Sequence, residues 1–196
     1  MNQLEESNFE QLQHDLWKNS GSLYCGNLYA KYIDDQNKRC PVWAFLEMIS
    51  FGQYLYFYKY CVELLQNTEI TERLYLMYTV KSLRNACAHN NCIINDINST
   101  HNKRINADLQ RECTKFIKSP SSRRRHLGHI STYQILTTMY AHQRICISTG
   151  VHKHICGELD ELKKRFFRDN NYRLNDNIKA TFDVLIRAID TWFRIR

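Results

Sequence analysis

The chain has 196 residues, 43% hydrophobic and 24% charged, with 6 Gly and 2 Pro. That is the composition of an ordinary globular protein able to bury a core. The scarcity of Gly and Pro argues against a many-stranded sheet with frequent turns. The net charge of +7 is uneven: residues 1–95 carry 8 Lys/Arg against 10 Asp/Glu, and residues 96–196 carry 19 against 10. A basic second half is the electrostatic footprint of a polyanionic partner such as nucleic acid, or of a plain solvated surface.

In chain order, residues 4–17 fit a short amphipathic helix with Phe9, Leu12 and Leu16 on one side. The start is acidic and unlike a signal peptide. Residues 22–35 read as a second short helix or loop. Pro41 then opens a helix expected to run to about Gln66, apolar nearly all round and so central in a bundle. Its most apolar stretch, Met48–Val62, is interrupted by Gly52, Gln53 and Lys59 and is too short to span a bilayer. The tyrosines and phenylalanine of 54–60 are expected to pack in the core rather than stack on bases.

Asn67-Thr68 caps the next helix, which reaches about His89 with Leu76, Val80, Leu83 and Cys87 on its core face. Residues 90–104, rich in Asn, Ser and Thr, read as a loop. A helix near 105–118, a basic loop from Ser119 to Gly128, and helices at 129–148 and 155–168 follow. A last helix begins after Asn175 and Asp176, with a stripe of Ile178, Phe182, Leu185, Ile189 and Phe193. No segment alternates with period two. The expected architecture is an all-α helical bundle forming one domain over 1–196. Within it lie N-terminal helices (1–40), a helix pair (41–95) and basic C-terminal helices (96–196). The eight cysteines show no disulfide framework, so a reduced, cytoplasmic protein is expected.

The chemistry concentrates in Lys81-Ser-Leu-Arg-Asn-Ala-Cys-Ala-His89. A histidine can move protons at a 2′-hydroxyl or a leaving oxygen. An arginine can hold a phosphate and stabilise charge developing on it. Neither role needs a metal, and no cofactor is implied. Arg-x4-His is weak by spacing alone, because Arg124 and His129 match it too. At 100° per residue, Arg84 and His89 point about 140° apart on one helix, whereas Asn85 and His89 share a face. A working site therefore needs the helix to end near His89, or a second subunit. A two-fold homodimer supplies the latter.

Glu47 lies at helical spacing from Phe51, Tyr54 and Tyr58, where a buried carboxylate would need a partner such as Arg84. The other reading is a solvated edge. Arg123, Arg124 and Arg125, with Lys103, Arg104, Lys115 and Lys118 nearby in sequence, are candidates for holding an RNA backbone. His126, His129, His152, His154 and Cys156 match no standard zinc spacing.

The pair PVWAFLEMISFGQYLYFY (41–58) and LRNACAHNNCIIN (83–95) resembles the core of the Abi-like abortive-infection proteins of the AbiD/AbiF type, in the HEPN superfamily. The resemblance is dense over 41–95 and only general after that. It implies a helical-bundle, metal-independent endoribonuclease with a composite site at a dimer interface, acting on RNA in phage defence. It assigns Arg84 and His89 as the catalytic pair, Asn85 as the polar residue of the motif, and Glu47 and Asn95 as supporting positions. Two departures stand out. The chain has less sequence before the Pro-Trp segment than longer Abi-like proteins, and Asn-Asn-Cys follows His89 in place of a basic or aromatic run. The alternatives are a non-catalytic RNA-binding or sensor module, and a regulatory helical dimer of a defence or toxin–antitoxin operon with an antitoxin or non-coding RNA partner.

Overall fold

A computed structural model describes residues 10, 14, 25–34, 40–94, 97–102, 104–168 and 175–194. Apart from residues 10 and 14, the expected helix at 4–17 lies outside them, as do Asn95 and Lys103. The described residues form nine α-helices and no strand, so the architecture is all-α. No helix among them is long and apolar enough to cross a membrane. The chain divides into two compact units, Met1–Leu74 and Tyr75–Arg196. The division falls inside a helix.

In the first unit, α1 (Gly26–Tyr29) runs into a π-turn, Ala30–Asp34. The segment expected as one helix from Pro41 to Gln66 is two: α2 (Val42–Met48) and α3 (Phe51–Leu65). The break is at Ser50, which takes an extended conformation and accepts the Gln53 N–H on its hydroxyl. A serine that can cap competes with continuing the helix, and here the cap wins. Nor is α3 enclosed. Leu55 and Val62 are its buried residues, while Tyr56, Phe57 and Tyr60 are exposed. The core-packing expectation for 54–60 therefore holds for only part of the run. Tyr54 stacks on Phe51 and Tyr58, with centroids 6.1 and 6.0 Å away.

α4 (Thr68–Ala88) starts where Asn67 accepts the N–H groups of Glu69 and Ile70. Leu74, Leu76, Thr79 and Leu83 are buried along it, and Val80 is half-buried. Cys87, expected on the core face, is exposed. The burial stripe stops one turn short of the helix end, so the last turn stands in solvent.

In the second unit, α5 (Ala107–Cys113) is capped by Asn106. The segment Ser119–Gly128, expected as a basic loop, is helix α6 (Pro120–Gly128). Ser119 accepts the Ser122 N–H and Pro120 occupies the first turn, a standard helix start. Arginine is also a good helix former, which the count of charges conceals. α7 (Ile130–Ile145) buries Tyr133, Leu136, Met139 and Tyr140. α8 (Thr149–Arg168) starts six residues earlier than expected, capped by Ser148. α9 (Asp176–Trp192) presents the expected stripe: Phe182, Leu185, Ile189 and Phe193 are buried and Ile178 packs against their cluster. Trp192 adds an edge-on contact with Phe116 at 5.0 Å. Elsewhere in this unit, residues 99–101 pin the loop after α4 to the α6–α7 corner. The Ile130 N–H donates to the Ser99 carbonyl at 2.8 Å, and His101 lies 2.9 Å from the Leu127 carbonyl through Nε2.

Candidate functional site

The residues singled out in Lys81–His89 lie at the C-terminal end of α4 and just beyond it. Arg84 is exposed, Asn85 is half-buried and His89 is exposed. Arg84 Nη1 donates to Asn85 Oδ1 at 3.2 Å, which ties the guanidinium to the neighbouring amide. The helix stops at Ala88, one residue before His89. Its stop is a Schellman motif. The Asn90 N–H donates to the Cys87 carbonyl at 3.0 Å and the Asn91 N–H to the Ala86 carbonyl at 2.9 Å. Asn90 sits in the left-handed region with φ 53°. Asparagine tolerates that conformation better than other non-glycine residues.

The Asn-Asn pair that departs from the expected basic run thus ends the helix at the histidine. The condition set by helical geometry, a helix that finishes near His89, is met. His89 is held by its backbone N–H, which donates to the Asn85 carbonyl at 3.1 Å, while its ring stands in solvent. Among the described residues no hydrogen bond joins Arg84 to His89.

The cap has a measurable consequence. Replacing Asn90 with alanine keeps a β-carbon at a positive-φ position but removes asparagine's capacity for local hydrogen bonding, and is expected to weaken the α4 terminus by about 1 kcal/mol. Asn90→Gly is expected to hold it or strengthen it. Amide hydrogen exchange at Asn90 and Asn91 reads this directly; equal protection in wild type and Asn90→Ala contradicts the capping role.

Glu47 is exposed on α2, so its carboxylate is solvated and burial does not oblige it to find a partner. It belongs to the first unit and Arg84 to the second. Of the basic residues, Arg124, Arg125 and Arg104 are exposed. Arg123 is engaged inside the fold, donating from Nη1 to the carbonyls of Ile117 at 2.6 Å and Lys118 at 2.9 Å. That guanidinium closes the chain leading into α6, leaving Arg124 and Arg125 as the solvent-facing pair.

Sequence spacing does not anticipate the histidine arrangement further along. His142 and His152 stack with Phe193, and His152 Nδ1 lies 3.4 Å from His142 Nε2. Cys156 Sγ is 3.6 Å from His152 Nε2. His154 is exposed and takes no part. Among the described residues no group of three or more His, Cys, Asp or Glu side chains could hold a metal ion.

His126 is buried, with no hydrogen-bond partner for its Nδ1 among the described residues. Burial first, and then the nearby Arg125, His129 and Arg187, push its pKa below the ordinary 6.5. Below that pH the unfolded chain binds a proton that the folded ring refuses, so stability is full above about pH 6.5 and falls as the solution is acidified through it. His126→Gln is expected to lose less melting temperature than wild type between about pH 7.5 and 5.5. Identical losses refute the assignment to this ring.

A family model described as Abi-like protein matches residues 2–95. The match reaches forward of the 41–95 stretch that carries the resemblance and ends just past the α4 terminus. It supports a role in abortive infection. No curated protein and no solved structure matches the chain.

Proposed function

Since residues 2–95 belong to the Abi-like protein family, we propose that this chain acts in abortive infection as a metal-independent endoribonuclease with Arg84 and His89 at its centre. The observation that supports this most is the exposed end of α4. There the chain leaves a guanidinium and an imidazole in solvent and stops the helix immediately at the histidine. Both groups are accessible to a phosphodiester.

In the proposed reaction, His89 takes the proton of a 2′-hydroxyl, and that oxygen attacks the adjacent phosphorus. The P–O5′ bond breaks, leaving a 2′,3′-cyclic phosphate and a 5′-hydroxyl. Arg84 grips the phosphate oxygens and offsets the charge that builds on them, and Asn85 steadies the guanidinium. HEPN-type use of the site requires a two-fold homodimer, because one α4 end supplies only one imidazole. A second α4 end would supply the acid that protonates the departing 5′-oxygen. Arg124 and Arg125 on α6 and Arg104 would hold the flanking backbone.

The test is to incubate the full chain with total RNA in EDTA, beside Arg84→Ala and His89→Ala. Cleavage with cyclic-phosphate ends, lost in both variants, is the expected result. Salt-sensitive binding with intact RNA would instead favour a non-catalytic RNA-binding module, the reading supported by the basic second half of the chain.

A further inference from the structure

The second unit contains a cleft of about 1180 Å³ that shares no residue with the Arg84–His89 turn. It runs between α5, α7, the start of α8 and the end of α9. That volume exceeds the roughly 300–1,000 Å³ of an ordinary small-molecule site.

Its charge is unbalanced. Arg111 and Lys115 line it, but each is held by an α5 carboxylate, Asp108 and Glu112 respectively, at 2.6 Å. Arg144 and Lys153 also line it, and both are exposed with no ion pair among the described residues. Two unspent cations therefore face a common space. They flank the start of α8, where Ser148 and Thr149 line the cleft and no acidic residue occupies the first turn. The Ser148 hydroxyl takes the Val151 N–H. The leading amides of a 20-residue helix, with its positive dipole end, favour an anion there.

Tyr140 and Trp192 also line it, both largely buried, and Trp192 is 8% exposed with a buried indole N–H that has no partner among the described residues. A buried donor left unpaired costs free energy, and a small shift of the ring toward a ligand acceptor would recover it. Arginine, lysine and a helix start suit a phosphate. An aromatic lining with an idle donor suits a planar heterocycle.

We propose that this cleft binds a nucleoside phosphate, with the phosphate at the α8 start between Arg144 and Lys153 and the base toward Trp192. The ligand chemistry has two sources, a free nucleotide or the terminal nucleotide of an RNA strand. The site rests on neither Arg84 nor His89, so the nuclease reading can fail without it.

The experiment uses the full chain carrying Arg84→Ala and His89→Ala, so that no strand is cut. Binding of ATP and of a 5′-phosphorylated penta-adenylate RNA is measured by calorimetry. Arg144→Ala/Lys153→Ala is then added, both positions being exposed and safe for folding. An affinity loss of about tenfold or more for either ligand is expected, since two charge-assisted contacts go. Loss for ATP identifies a free-nucleotide site; loss for the RNA alone identifies a strand-end site. Arg124→Ala/Arg125→Ala on α6 should leave ATP binding unchanged. Absence of binding by both ligands, or equal affinity with and without Arg144→Ala/Lys153→Ala, overturns the proposal.

Discussion

His89→Ala is expected to lower RNA cleavage by a factor on the order of 10²–10⁴, the usual contribution of a positioned general acid or base. The expected fall is interpretable because His89 is exposed and sits beyond the last helical residue. Its imidazole contributes to no core, and substitutions at such positions usually change stability by less than about 0.5 kcal/mol. A melting temperature equal to wild type alongside lost cleavage therefore points to chemistry and not to unfolding. His89→Ala that cleaves total RNA at the wild-type rate removes the imidazole from the mechanism.

Arg84→Ala is expected to cost about 10²–10³ in rate, in the range of a lost donor to developing charge. Arg84→Lys should recover only part of it, because an ammonium is a point charge and cannot match two phosphate oxygens with a planar fork. The Arg84–Asn85 hydrogen bond at 3.2 Å adds a finer expectation. Asn85→Ala leaves the guanidinium charge but frees its orientation, so its effect should be smaller than that of Arg84→Ala. Single-turnover cleavage of one defined RNA compares the three. Arg84→Lys equal to wild type would show that charge alone suffices and that the planar fork is idle.

How much of this is legible in the sequence varies with the physical signal. The α9 stripe is plain because a helix that buries one face must repeat its apolar residues at the helical period, and Phe182, Leu185, Ile189 and Phe193 do. The Asn67 and Asn175 caps are equally plain. The Ser50 break is not, since an unbroken apolar run on both sides hides a single capping hydroxyl. α6 reads as a loop because its arginines draw the eye from Ser119 and Pro120, the same kind of start that is evident at Pro41. Extending the α4 periodicity one turn past where burial ends places Cys87 inward, where the structure has it exposed.

At the candidate site, helical spacing sets a condition, that the helix finish near His89, and the structure meets it through Asn90. The Asn-Asn pair already carries that outcome, but as a capping signal that a comparison of composition overlooks. Arg123 looks equivalent to its two neighbours in sequence, and only packing distinguishes it, through the carbonyls of Ile117 and Lys118. The cleft at the α8 start is invisible for a different reason. Its walls come from residues 108–115, 140–153 and 191–194, which only the tertiary fold brings together.

The central claim is that the His89 imidazoles of two protomers meet at one phosphate, one as base and one as acid. Mixing equal amounts of wild-type and His89→Ala chains and letting the subunits exchange tests it most directly. Only about a quarter of the dimers then carry both imidazoles, so cleavage at about a quarter of the rate of the same total amount of wild type is predicted. Cleavage at about half that rate, as expected if each protomer acts alone, would contradict it.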